Sequence, residues 1–113
     1  MTTIYHNPRC RKSRETLQLL EDTGENVKIV KYLEDPPSEA HLKQLLKQLQ
    51  LKPMELIRKG ESLWKEQFKG KSFSEEELIA IMHQNPKLIE RPIVVKNGKA
   101  KIGRPPISVK EIL

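Results

Sequence analysis

The chain has 113 residues and a formal net charge of +6, from 21 Lys and Arg against 15 Asp and Glu. That length suits a single domain spanning residues 1–113, able to bury about two-thirds of its unfolded surface without staples. The charge favours anionic partners. Composition excludes several classes. No apolar run is long enough to cross a membrane, and Met1–Tyr5 lacks the basic start of a signal peptide. One cysteine rules out an internal disulfide and points to the reducing cytoplasm, and the scattered His6, His41 and His83 offer no metal site. The aromatic residues do not interleave with basic ones as a base-stacking groove requires, so DNA is not an expected partner.

Thr2 to Tyr5 reads as a short strand running into the breaker Asn7-Pro8. A helix is expected from about Arg9 or Cys10, with Leu17, Leu19 and Leu20 supplying its apolar residues and Gly24 its stop. Val27 to Tyr32 alternates with a period near two and forms the second strand. Strand, helix and strand at this spacing make a parallel βαβ unit with a right-handed crossover.

Asp35-Pro36-Pro37-Ser38 breaks the chain and caps a helix whose Leu42, Leu45, Leu46 and Leu49 form one apolar stripe. One or two shorter helices follow between Pro53 and Phe68, interrupted at Gly60. Ser74 and Glu77 spell a capping box opening a helix that ends before Asn85-Pro86. Ile93 to Val95 and Lys99 to Ile102 flank Asn97-Gly98, a type I′ hairpin signal. Ile107 to Leu113 reads as a closing helix with Val109, Ile112 and Leu113 inward. The order is βαβ, a helical insert, then ββα.

Function concentrates in His6-Asn7-Pro8-Arg9-Cys10-Arg11-Lys12-Ser13-Arg14. Cys10 opens a helix among four cations, and helix N-termini and nearby Lys or Arg both favour the nucleophilic thiolate. Ser13 sits one turn past Cys10, where its hydroxyl can donate to the thiolate. Arg14 adds charge. His6 either tunes Cys10 electrostatically or simply ends the strand. Asn7 and Pro8 shape the turn.

This motif, His-Asn-Pro-x-Cys-x-x-Ser-Arg, resembles the active-site loop of the glutaredoxin-dependent arsenate reductase family. Tyr32 to Pro37, Arg91 to Val95 and Gly103 to Pro105 resemble further segments of that family in the same order. The resemblance implies a thioredoxin-like fold with a mixed four-stranded sheet. It places the catalytic nucleophile on Cys10, the oxyanion-binding arginines on Arg58, Arg91 and Arg104, and a cis-proline at Pro92. It also implies reduction of arsenate to arsenite, with glutathione as co-substrate, glutaredoxin as partner and no bound cofactor. Arg11 and Lys12 stand where well-characterised members carry small neutral residues. Two other functions suit the same fold: glutathione-linked thiol transfer on another substrate, and a regulator docking on RNA polymerase.

Overall fold

The computed structural model describes residues 1–113, which divide into two compact units, Met1–Asp35 with Arg91–Leu113, and Pro36–Glu90. The first unit contains β1 (Thr2–Tyr5), α1 (Arg11–Asp22) and β2 (Val27–Val30). The second contains α2 (Glu39–Leu49), α3 (Pro53–Leu56), α4 (Ser62–Gln67), α5 (Glu75–Gln84) and a 3-10 turn, Pro86–Leu88. The chain then returns to the first unit through β3 (Ile93–Lys96), β4 (Lys99–Ile102) and a 3-10 helix, Pro106–Ile112.

The four strands form one mixed sheet in the order β2-β1-β3-β4, the thioredoxin-like arrangement. β1 runs parallel to β2, with Ile4 opposite Ile29, and antiparallel to β3, with Ile4 opposite Val94. Asn97 and Gly98 both take positive φ, as a two-residue type I′ turn requires, and bring β4 back against β3. On one face of the sheet Ile4 and Val94 pack with Leu20 of α1 and Val109 of the C-terminal 3-10 helix. All four side chains are fully buried, and each such burial contributes about 1.5–3 kcal/mol. Placing β1 at the centre of the sheet puts the Cys10 loop, which leaves its C-terminal end, between the ends of β2 and β3.

Two expectations need correction. β2 stops at Val30 because Lys31–Asp35 closes a turn, with the Glu34 and Asp35 amides donating to the Lys31 carbonyl at 3.0 and 2.9 Å. The C-terminal segment is 3-10 rather than α-helical. Pro105 and Pro106 bring no N–H, and the Ser108 hydroxyl donates to the carbonyls of Ile102 and Pro105, competing with helical pairing. The tighter winding buries Val109 and packs Ile112 on the core, but leaves Leu113 at 36% exposure instead of inward.

Within the helical unit Leu42, Leu45 and Leu46 of α2 are buried, as are Leu78, Ile79 and Met82 of α5, and Lys43 pairs with Glu76 at 3.0 Å. Ser38 caps α2 by accepting from the His41 amide. Ser74 and Glu77 close the reciprocal capping box of α5 at 3.1 and 2.8 Å. Ile57 and Ile89 form an isolated antiparallel bridge, flanked by bonds from the Arg58 amide to the Leu88 carbonyl and from the Glu90 amide to the Leu56 carbonyl.

Candidate active site

Asn7 builds the loop that presents the cysteine. Its carbonyl accepts from the Cys10 amide and its side-chain oxygen from the Arg9 amide, both at 3.0 Å, the local pairing for which Asx residues are favoured in turns. Cys10 then occupies the N-cap position of α1 with extended backbone angles, φ −93° and ψ 123°. Its thiol is partly exposed. No hydrogen bond of ordinary capping geometry forms from the side chain, yet the Ser13 N–H in the first turn faces it.

The Cys10 thiol is held below its ordinary pKa. Burial opposes ionisation, and is outweighed by the Ser13 amide, by hydrogen bonding and charge from Arg91, and by hydrogen bonding from Arg104. Arg104 Nη1 lies 4.0 Å from Cys10 Sγ and donates at 3.1 Å to the Arg91 carbonyl, which ties the two arginines into one group. Arg91 Nε is buried without a protein acceptor. A guanidinium in that position offers fixed donors to an anion beside the nucleophile.

Ser13 is fully buried, and it acts on the thiol through its backbone rather than its hydroxyl. Ser13 Oγ lies 2.6 Å from His6 Nδ1 and accepts from the Asn7 amide at 3.0 Å. The Ser13 hydroxyl thus pairs with His6 and the Asn7 amide, and the support that Ser13 gives the thiol comes from its backbone amide. His6 is buried, and its pKa is lowered by that burial and by the charges of Lys31 and Arg14. It is accordingly neutral near pH 7 and braces the loop from beneath. Arg14 spends its guanidinium on the Pro8 carbonyl at 3.0 Å and is not among the groups that lower the Cys10 thiol.

The Arg91–Pro92 peptide is cis, and so is Arg104–Pro105. The Pro92 carbonyl accepts from the Gly103 amide at 2.9 Å. A Cβ at Gly103 would lie 2.5 Å from Thr16 Oγ1 and 2.9 Å from Pro92 Cγ. Gly103 thus lets the end of β4 press against both α1 and Pro92, which carries the adjacent Arg104 to the thiol. Sequence reading passed over Gly103 and its neighbour Thr16 as site-forming residues. The signal was there, since a lone glycine at a strand end marks a close backbone approach.

Arg58 belongs to the helical unit, between Glu61 at 4.0 Å and Glu90 at 3.9 Å, with its Nε buried and without a hydrogen-bond acceptor. No three His, Cys, Asp or Glu side chains gather as a metal site. No helix is long and apolar enough to cross a membrane.

Strand order, the cysteine at the first helix N-terminus and the cis-proline before β3 define a thioredoxin-like protein with a single thiol. Comparison with known proteins narrows the class. The chain belongs to the ArsC family, whose profile matches residues 5–112. It is 56% identical over 112 residues to the uncharacterised protein YfgD of Escherichia coli K12, covering 97% of this chain and 94% of that one. It is 43% identical over 112 residues to an arsenate reductase of Haemophilus influenzae, covering 97% of each chain. The structure of an arsenate reductase from Vibrio cholerae superposes with a TM-score of 0.96 at 53% identity, over 99% of this chain and 97% of that one.

Proposed function

We propose that this protein reduces arsenate to arsenite, with Cys10 as nucleophile and glutathione and glutaredoxin as electron donors. The observation that carries the reading is the convergence of the Ser13 amide, Arg91 and Arg104 on one thiol, whose pKa they lower, in a chain with no second cysteine. The names of the Haemophilus and Vibrio relatives support arsenate as the substrate. A free thiol suits a reducing compartment, here the cytoplasm.

The Cys10 thiolate attacks arsenic(V), forming an S–As bond while one oxygen leaves as water. Arg91 and Arg104, with Arg58 by family resemblance, hold the oxyanion and offset its charge. No protein thiol can resolve this adduct. The glutathione thiol displaces a second oxygen as water, leaving arsenic(V) bound to two sulfurs. A glutaredoxin thiolate then attacks the glutathione sulfur. The new S–S bond joins glutathione to glutaredoxin, the S–As bond to glutathione breaks, and its electron pair stays on arsenic, now arsenic(III). Hydrolysis of the remaining S–As bond returns the Cys10 thiolate and releases arsenite.

The test is arsenite production by purified protein with arsenate, glutathione and glutaredoxin. Multiple turnovers abolished by Cys10→Ser are expected, and no arsenite above that control would overturn the proposal. Activity confined to glutathione mixed disulfides would replace it with thiol transfer, to which the added cations Arg11 and Lys12 would then be relevant.

A further inference from the structure

The inward face of α1 starts polar and ends apolar. Its buried residues are Ser13, Thr16 and Leu20, at helical spacing. Leu20 joins the core, and Ser13 meets His6 and the Asn7 amide. Thr16, between them, is fully buried and belongs to neither arrangement. A hydroxyl is a costly filling for such a place, since it needs a partner to offset its desolvation.

The Thr16 hydroxyl finds that partner inside α1. Oγ1 donates to the Lys12 carbonyl at 2.8 Å, one turn back. Threonine divides between two side-chain conformations in a helix, and this bond selects one. In it Oγ1 and Cγ2 stand 2.5 and 3.1 Å from the position that a Cβ of residue 103 would take. Thr16 thus fills the space that Gly103 leaves open at the end of β4.

From that contact a closed path leads to the thiol. The Gly103 amide donates to the Pro92 carbonyl at 2.9 Å, which fixes Gly103 to the residue after Arg91. Arg104 follows Gly103, donates to the Arg91 carbonyl at 3.1 Å, and brings Nη1 to 4.0 Å from Cys10 Sγ. Cys10 caps the same helix that carries Thr16, and Lys12 lies in the first turn beside that cap. The separation of Sγ and Nη1 is therefore set where helix and strand end touch. The side chain at that contact is Thr16. Valine has the same branched shape, but a methyl is larger than a hydroxyl oxygen and has no bond to the Lys12 carbonyl. It would hold the two elements further apart.

We infer that Thr16 is a positioning residue, whose anchored hydroxyl sets the distance between Cys10 and Arg104. Gly103 permits the approach, and Thr16 decides how far it goes. The inference deepens the proposed function and rests on it for the use made of the thiolate.

The test compares Thr16→Val and Thr16→Ser in the intact protein, with the Cys10 titration read from thiolate absorbance and alkylation rate. Thr16→Val should raise the thiol pKa by about 0.5 to 1, which lowers the thiolate fraction about three- to tenfold at a pH below both values. Thr16→Ser keeps Oγ1 and its bond to Lys12. It should titrate close to the parent even where the lost methyl lowers its melting temperature. In an Arg104→Ala background, Thr16→Val should add no further shift. Three outcomes would each overturn the assignment: Thr16→Val melting lower but titrating like the parent, Thr16→Ser shifting the thiol as far as Thr16→Val, or a Thr16→Val shift that persists without Arg104. The readout needs no turnover. If the Thr16→Val shift is seen but the parent makes no arsenite, the proposed function fails and the role of Thr16 stands. If the parent turns over and Thr16→Val leaves the titration unmoved, the reverse holds.

Discussion

Two sets of cations surround Cys10, and they behave differently. Arg9, Arg11, Lys12 and Arg14 are its neighbours in sequence, whereas Arg91 and Arg104 follow more than eighty residues later. The neighbours look outward or elsewhere: Arg11, 83% exposed at its side chain, pairs with Glu15 at 2.9 Å, and Lys12 lies 4.0 Å from the same carboxylate. Arg14 bonds a backbone carbonyl. The distant arginines, delivered by the ends of β3 and β4, are the ones that favour the thiolate. The reason is helical geometry. Cys10 is an N-cap, so the side chains that follow it fan around α1 while its own Sγ faces the loop and strand ends. Proximity along a chain is not electrostatic proximity, because solvent screens an exposed charge that points away.

The largest expected effect tests the centre of that arrangement. Cys10→Ser should eliminate arsenite formation while circular dichroism and melting stay close to the parent, since the thiol is partly exposed and fills no core.

Next come the two cation sets themselves. Arg91→Ala or Arg104→Ala should weaken arsenate or sulfate binding about ten- to a hundredfold, the size of a charged hydrogen bond worth about 1.5–3 kcal/mol. Each should also raise the Cys10 pKa, read from thiolate absorbance, and shift the alkylation-rate profile to higher pH. Arg9→Ala, Arg11→Ala and Lys12→Ala should leave that titration where it is. A pKa rise in the outer variants equal to that in the inner ones would break the contrast. The linkage has a definite sign. A depressed thiol pKa adds stability that is full above the unfolded value near 9.0 and is lost as pH falls through the folded value.

Gly103→Ala sharpens the geometric side. A methyl 2.5 Å from Thr16 Oγ1 must push β4 from α1, costing about 1–3 kcal/mol in stability and moving Arg104 from the thiol. The Cys10 pKa should rise as well, and Thr16→Ala in the same chain should recover part of both effects. A stability loss with no change in the thiol titration would confine Gly103 to packing.

The smallest effect concerns the brace beneath the loop. His6 resists protonation in the fold, so its contribution to stability is present above its ordinary pKa of 6.5 and is lost as pH falls below it. Protonated, it donates from both nitrogens, so Nδ1 can meet Ser13 Oγ only as a donor. Ser13→Ala should keep the amide that favours the Cys10 thiolate and so change the thiol pKa little, whereas Lys31→Ala, which removes a charge opposing His6 protonation, should flatten the acid-side dependence of melting. A large thiol shift in Ser13→Ala would return the hydroxyl to the thiolate.

The amino-acid sequence by itself determined the strand and helix order, both reciprocal and simple caps, the type I′ hairpin and the choice of Cys10, because each depends on residues a few positions apart. Periodicity, a capping serine and an Asn-Gly pair act locally, and their structural consequences are visible without the rest of the chain. Family resemblance carried the site as far as Arg91, Arg104 and Pro92. Only tertiary structure decided which polar groups serve the thiol. The Ser13 hydroxyl turns to His6 because the end of β1 brings that ring beneath the loop. Arg104 reaches Cys10 because a glycine lets β4 approach Thr16 and Pro92 more closely than any side chain would allow. Those are contacts between residues up to 94 positions apart, made through space by the order of four strands, and no local pattern encodes their direction.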